Sequence, residues 1–315
     1  MAKNPFFGGA VLGIVVIGAT FVDIKGFPWD TYLPTGRNVG HVEYIHGGVA
    51  RNLVEDIANV ELRPSFVSIV DNSPLGTDVL QKLQNHKVNT DYVLRIDDGM
   101  GTWLAVFDNN GDVAGSISKR PNMMPVLDLL EEKGDEIIGS ADSVVIEVDL
   151  DKDIVKCVLE LCQKHHKKVF GLVSNMSIAA ERRDLLRRYT CFICNQQEAG
   201  QLFMDDYSAA TPEQMRDILA DKLPKAEIAS MVVTMGAQGA VYADLQGNKG
   251  VCPARNVQVK DTTGAGDAFC AGVAIGLTYG KTLPEAIDIG STLAASVIIS
   301  SENVCPRFQP AEFGI

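Results

Sequence analysis

Short apolar runs rich in β-branched residues alternate with amphipathic stretches along almost all of the 315-residue chain. The runs are GIVVIG (13–18), SFVSIV (65–70), SVVIEV (143–148), KVFGLV (168–173), CFICN (191–195) and MVVTM (231–235). Unbroken apolarity over so short a span suits a strand covered on both faces. Between the runs lie segments with helical spacing, among them VARNLVEDIANV and TPEQMRDILADKL. This βαβ rhythm predicts an α/β fold, a doubly wound and mostly parallel sheet with helices on both faces.

Two segments depart from the rhythm. Residues 24–46 carry little helix signal, and 91–119 read as three short strands, DYVLRID, TWLAVFD and VAGSISK. The turns DDGMG and DNNGD between them have hairpin chemistry. We therefore expect one domain, 1–315, with a small β-sheet lid built from about 24–46 and 91–119.

Composition narrows the partners. With 28 basic and 40 acidic residues the formal charge is −12, and no basic stripe offsets it. An electrostatic grip on a nucleic acid polymer is not expected, and a small molecule fits better. Seven cysteines at irregular spacing suggest no disulfide framework. Cys191 and Cys194 form a CxxC, but within a strand positions three apart face opposite sides, so buried structural thiols are the expectation rather than a metal site. The uncharged run 5–22 has the length of a membrane span or signal peptide, yet its glycines and weak basic flank read better as a buried strand and a glycine turn. A cytoplasmic, membrane-free protein is expected.

The stretch DTTGAGD (261–267) precedes the apolar helix AFCAGVAIGLTYG, in which Gly280 is placed to end the helix. Gly264, Ala265 and Gly266 thus sit at a helix N-terminus, where free N–H groups and the helix dipole favour an anion. Such an anion hole stabilises a transferring phosphoryl group. Asp267 would be repelled by a bound phosphate unless it acts as a base beside it. Spacing alone leaves a plain helix cap equally open. Two other glycine motifs are decoys: GLTYGKT (276–282) is one residue short of a P-loop and follows a helix, and GGAVLG is not GxGxxG.

Taken in order, the motifs resemble those of the ribokinase-like, or PfkB, family of carbohydrate and nucleoside kinases. GATFVDI resembles the family's first strand, with Asp23 on sugar hydroxyls. GGVARN (47–52) resembles the glycine pair, Gly47 and Gly48, and the substrate-contacting asparagine, Asn52. NQQE (195–198) matches the family's NxxE, which places Asn195 and Glu198 near magnesium and its waters. VTMGAQG (233–239) resembles the turn under the nucleotide, with Thr234, Gly236 and Gly239. DTTGAGD closes the set. GGVARNLVE most resembles the pseudouridine kinases, which adds Arg51 to the substrate residues, although Arg51 and Glu55 also suit an i,i+4 pair.

The resemblance implies an ATP-dependent kinase for a primary hydroxyl of a sugar or nucleoside, pseudouridine leading. Another sugar, nucleoside or sugar phosphate, or a binding protein that has lost turnover, is the alternative. ATP and Mg2+ are implied, as are K+ near Asp261 and Thr263 and a homodimer through the lid. Three departures stand out: GLVSN (171–175) lacks the family's Asp-Pro, VDNSPLGTD (70–78) replaces GxDxxG, and SKRPNMM (118–124) brings Arg120, which would suit a phosphorylated sugar.

Overall fold

The computed structural model describes residues 13–315. Residues 5–12 of the apolar N-terminal run, and with them most of GGAVLG, lie outside the described residues. The strands are β1 (Ile14–Ile17), β2 (Phe21–Pro28), β3 (Gly40–Gly47), β4 (Ser65–Val70), β5 (Asn89–Arg95), β6 (Gly101–Phe107) and β7 (Val113–Lys119). They continue with β8 (Ser143–Glu147), β9 (Lys168–Leu172), β10 (Cys191–Asn195), β11 (Ser230–Thr234), β12 (Ala240–Asp244) and β13 (Lys249–Cys252).

Nine of them form one sheet in the order β13-β12-β11-β10-β9-β8-β1-β4-β5. From β11 to β5 every neighbouring pair is parallel, and β12 pairs antiparallel with both β11 and β13. Apolar clusters cover both faces, because each central strand is buried along its whole length. From β1 the chain first moves outward to β4 and β5, and later resumes on the other side with β8. Such a switch of direction leaves a crevice at the carboxyl ends of the strands, where open α/β sheets bind ligands.

The remaining strands form a second sheet, β3-β2-β6-β7. Here the expected lid needs correction. DYVLRID is not one of its strands; it is β5, the parallel edge of the main sheet beside β4. Tyr92 and Leu94 pack against one core cluster and Val93 against the other. Alternation tells which side chains share a face but not which sheet a strand joins, so the pattern alone misled. DDGMG accordingly links the two sheets and makes no hairpin. DNNGD does form one, with Asp108 Oδ1 accepting the N–H groups of Asn110 (2.8 Å) and Asp112 (3.0 Å).

Cys191 and Cys194 fall in opposite core clusters, and burial pushes both thiols up, that of Cys191 to about 12. GLTYGKT begins inside the helix Ala265–Thr278, with Gly280 in the left-handed region just past its end. That helix packs closely on Leu283–Ile298: a Cβ on Gly272 would lie 2.5 Å from the backbone of Gly290. Among the described residues no helix is long and apolar enough to cross a membrane.

Candidate active site

The residues expected to face a sugar gather where the second sheet meets the main sheet. Asp23 lies on β2 and Gly47 ends β3, and a Cβ on Gly47 would lie 2.7 Å from both Asp23 carboxylate oxygens. A larger residue there would push the Asp23 carboxylate aside. Gly48 caps the helix Val49–Asn59, whose first turns carry Arg51 and Asn52. Burial raises the Asp23 carboxyl above its ordinary range, opposed by the charges of Lys25 and Arg51.

Asp267 reaches the same point from the far end of the chain. It lies in the first turn of the helix Ala265–Thr278, and Asn52 Nδ2 donates to its Oδ2 at 2.8 Å. Burial pushes the Asp267 carboxyl up to about 7, against the Asn52 bond and the Arg51 charge, with Asp23 and Glu198 adding to the rise. A carboxyl so placed releases and takes protons near neutrality, as a general base must. Gly264 precedes the helix at φ +81°, and a Cβ there would lie 2.0 Å from the carbonyl oxygen of Asn303. The N–H groups of Gly264, Gly266 and Asp267 take no partner among the described residues, whereas Ala265 N–H donates to Thr262 O. Three of these four backbone N–H groups are thus open to an anion, and Ala265 leaves room beside them.

On the other side a cavity of about 220 Å³ is lined by Thr234, Gly236 and Gly239 and, from the Asp267 helix, by Ala265, Gly266 and Phe269. The cavity thus reaches the free N–H group of Gly266. Asn195 caps the helix Gln196–Phe203 in a reciprocal box: its side chain accepts the Glu198 N–H, and Glu198 Oε2 accepts the Asn195 N–H, both at 2.8 Å. Burial raises the Glu198 carboxyl. Asp261 Oδ1 accepts the N–H of Thr263 at 2.9 Å, which holds that carboxyl below its usual range.

Two placements differ from expectation. Arg51 does not face substrate. It is fully buried, bonded to Glu55, to the His46 carbonyl (3.1 Å) and to Asn52 Oδ1 (2.8 Å), so it stands behind Asn52. Arg120 is exposed but turned onto Asp149. The sequence reading also missed Glu147, at the end of β8, whose carboxylate accepts the N–H groups of Ala19 (3.3 Å) and Ala50 (3.0 Å). Burial, with Asp149 adding, pushes it up to about 8. An acidic residue within the apolar run SVVIEV was the available signal.

The model of the pfkB family carbohydrate kinases matches residues 12–306. The chain is 36% identical over 292 residues to a guanosine-inosine kinase of Exiguobacterium acetylicum, covering 92% of this chain and 95% of that protein. It is 23% identical over 276 residues to a pseudouridine kinase of Escherichia coli, covering 87% and 86%. Its fold matches an Arabidopsis thaliana ribokinase complexed with ribose and ATP at a TM-score of 0.84, with 20% identity and coverage of 96% and 99%.

Proposed function

Because the chain belongs to the pfkB family of carbohydrate kinases, we propose that this ATP-dependent sugar or nucleoside kinase phosphorylates the primary 5′-hydroxyl of a ribonucleoside, a 6-oxopurine nucleoside before pseudouridine. The observation that supports the chemistry is the Asn52–Asp267 bond at the mouth of the free helix N-terminus. Asp267 takes the hydroxyl proton on a carboxylate oxygen. Asp23, Asn52 and Glu147 orient the acceptor, and the N–H groups of Gly264, Gly266 and Asp267 hold the oxygens of the transferring phosphoryl group. The higher identity to the guanosine-inosine kinase, over more of the chain, supports a purine over pseudouridine.

The described residues hold no cluster of three or more metal-ligating side chains. That suits magnesium, which keeps most of its waters and arrives with the nucleotide phosphates. Glu198, with one oxygen beyond its capping bond, is the carboxylate that would face it, and magnesium would neutralise phosphate charge. K+ beside Asp261 and Thr263 belongs to the same reading.

ADP release should be fastest with inosine or guanosine, slower with pseudouridine, and slower still with ribose or fructose 6-phosphate. A preference for the hexose phosphate would remove the nucleoside reading. The pH profile has a fixed sign. Asp267 must be ionised to act, so kcat/KM should rise about tenfold per pH unit well below 7 and level off above it. A flat profile from pH 5.5 to 8 would exclude Asp267 as the titrating base.

The lid face that carries Ile24 is apolar and open, with Tyr44 60%, Leu104 41% and Ile117 69% exposed in one cross-strand row. An open apolar row of this kind suits a second copy of the chain. Sedimentation should show a dimer at micromolar concentration, and Ile117→Lys should shift it to monomer. A wild-type monomer would remove the lid interface.

A further inference from the structure

A second cavity, of about 210 Å³, is lined by Ala19 and by Glu147, whose Oε1 accepts the N–H of Ala50 on the helix that carries Asn52. Phe21, Met123 and Ile178 give it apolar walls, which suit a flat heterocycle. Two arginines line it. Arg182 is half-buried, its Nη1 donating to the carbonyls of Val148 and Leu150, whereas the Arg120 side chain is 42% exposed. Its Nη2 donates to Asp149 Oδ2 and to Ser174 Oγ (3.1 Å), and its Nη1 to the Asp149 carbonyl (3.2 Å).

Those contacts leave the Nε–H and one Nη1–H without a partner among the described residues. Asp149 is itself anchored: it is 3% exposed and accepts the N–H (3.0 Å) and hydroxyl (2.7 Å) of Ser174. The guanidinium is thus held in place before any ligand arrives, and it can only donate. These two N–H groups lie on opposite sides of the guanidinium, so a single one meets the base: a carbonyl oxygen, as O6 of guanine or hypoxanthine, complements that donor, whereas the 6-amino group of adenine meets it donor to donor. Resting on the nucleoside reading above, the geometry points to this cavity as the base subsite and to Arg120, set by Asp149 and Ser174, as the residue that selects a 6-oxopurine over a 6-aminopurine.

The test compares kcat/KM for inosine, adenosine and fructose 6-phosphate in the wild type, R120K and R120M. The wild type should prefer inosine over adenosine at least about tenfold, as expected where a polar group reads a polar substrate atom. R120M should collapse that ratio through the KM for inosine, and R120K should fall between. If R120M fails to fold, R120M/D149N, which leaves no unpaired buried carboxylate, carries the same comparison. An unchanged ratio in folded R120M overturns the assignment. So does loss of fructose 6-phosphate turnover in R120M with the inosine-to-adenosine ratio intact, which would make Arg120 a phosphate reader. A wild type that phosphorylates no nucleoside overturns the proposed function itself, before Arg120 is at issue.

Discussion

Asp267→Asn should lower kcat by at least about a hundredfold, the low end of what a positioned general base contributes. The substitution keeps size, and the new amide oxygen can still accept from Asn52 Nδ2, which now bonds Asp267 Oδ2 at 2.8 Å. What disappears is the proton acceptor. ATP binding should survive, because the backbone donors and the nucleotide cavity are untouched. Stability supplies an independent control. The folded-state carboxyl titrates at about 7 against an ordinary 3.8, so the native protein favours the protonated form. The wild type therefore loses stability as pH rises from 3.8 to 7, and the loss is complete above 7. Asn never ionises, so at pH 8 the variant should melt at or above the wild-type temperature. Near wild-type turnover would reduce Asp267 to a helix cap.

Arg51→Met should produce the largest loss of stability. The Arg51–Glu55 pair is wholly inside the protein. Breaking a buried pair from one side typically costs about 3–5 kcal/mol, because the remaining charge is left without its partner. Lys82 at 3.4 Å and His86 at 3.7 Å still face Glu55 Oε1, which places the expectation at the lower end, about 3 kcal/mol. A melting temperature lower by roughly 5–10 °C would register it. R51M/E55Q should recover part of that loss, since no isolated charge remains. Activity should respond separately. Arg51 holds Asn52 Oδ1 at 2.8 Å, and its charge lowers the Asp267 carboxyl. Without it the acid limb of the kcat/KM profile should move to higher pH, even at temperatures where the variant is fully folded. An unmoved limb would confine Arg51 to a structural role.

The local chemistry of this protein is written in short stretches of sequence. Apolar runs of five or six residues specify strands covered on both faces, and glycine at 264 permits the positive φ found just before the helix. The order of GGVARN, NQQE, VTMGAQG and DTTGAGD was enough to indicate the fold and the reaction class. The long-range pairings were not readable in this way. Asn52 and Asp267 are 215 residues apart, and only the packing of their two helices brings amide to carboxylate. DYVLRID was read as a lid strand and became the edge of the main sheet, because alternation fixes the facing of side chains and leaves the neighbouring strand open. The pseudouridine-kinase resemblance of GGVARNLVE points Arg51 at the substrate, whereas its i,i+4 spacing from Glu55 is the pair that the structure shows. The neighbours of Arg51 on the helix are held from the far end of the chain, where Asn303 bonds Asn52 and Cys305 bonds Asp56. Burial is a property of the assembled structure, and with it come the raised carboxyls of Asp267 and Glu147 on which the proposed chemistry rests.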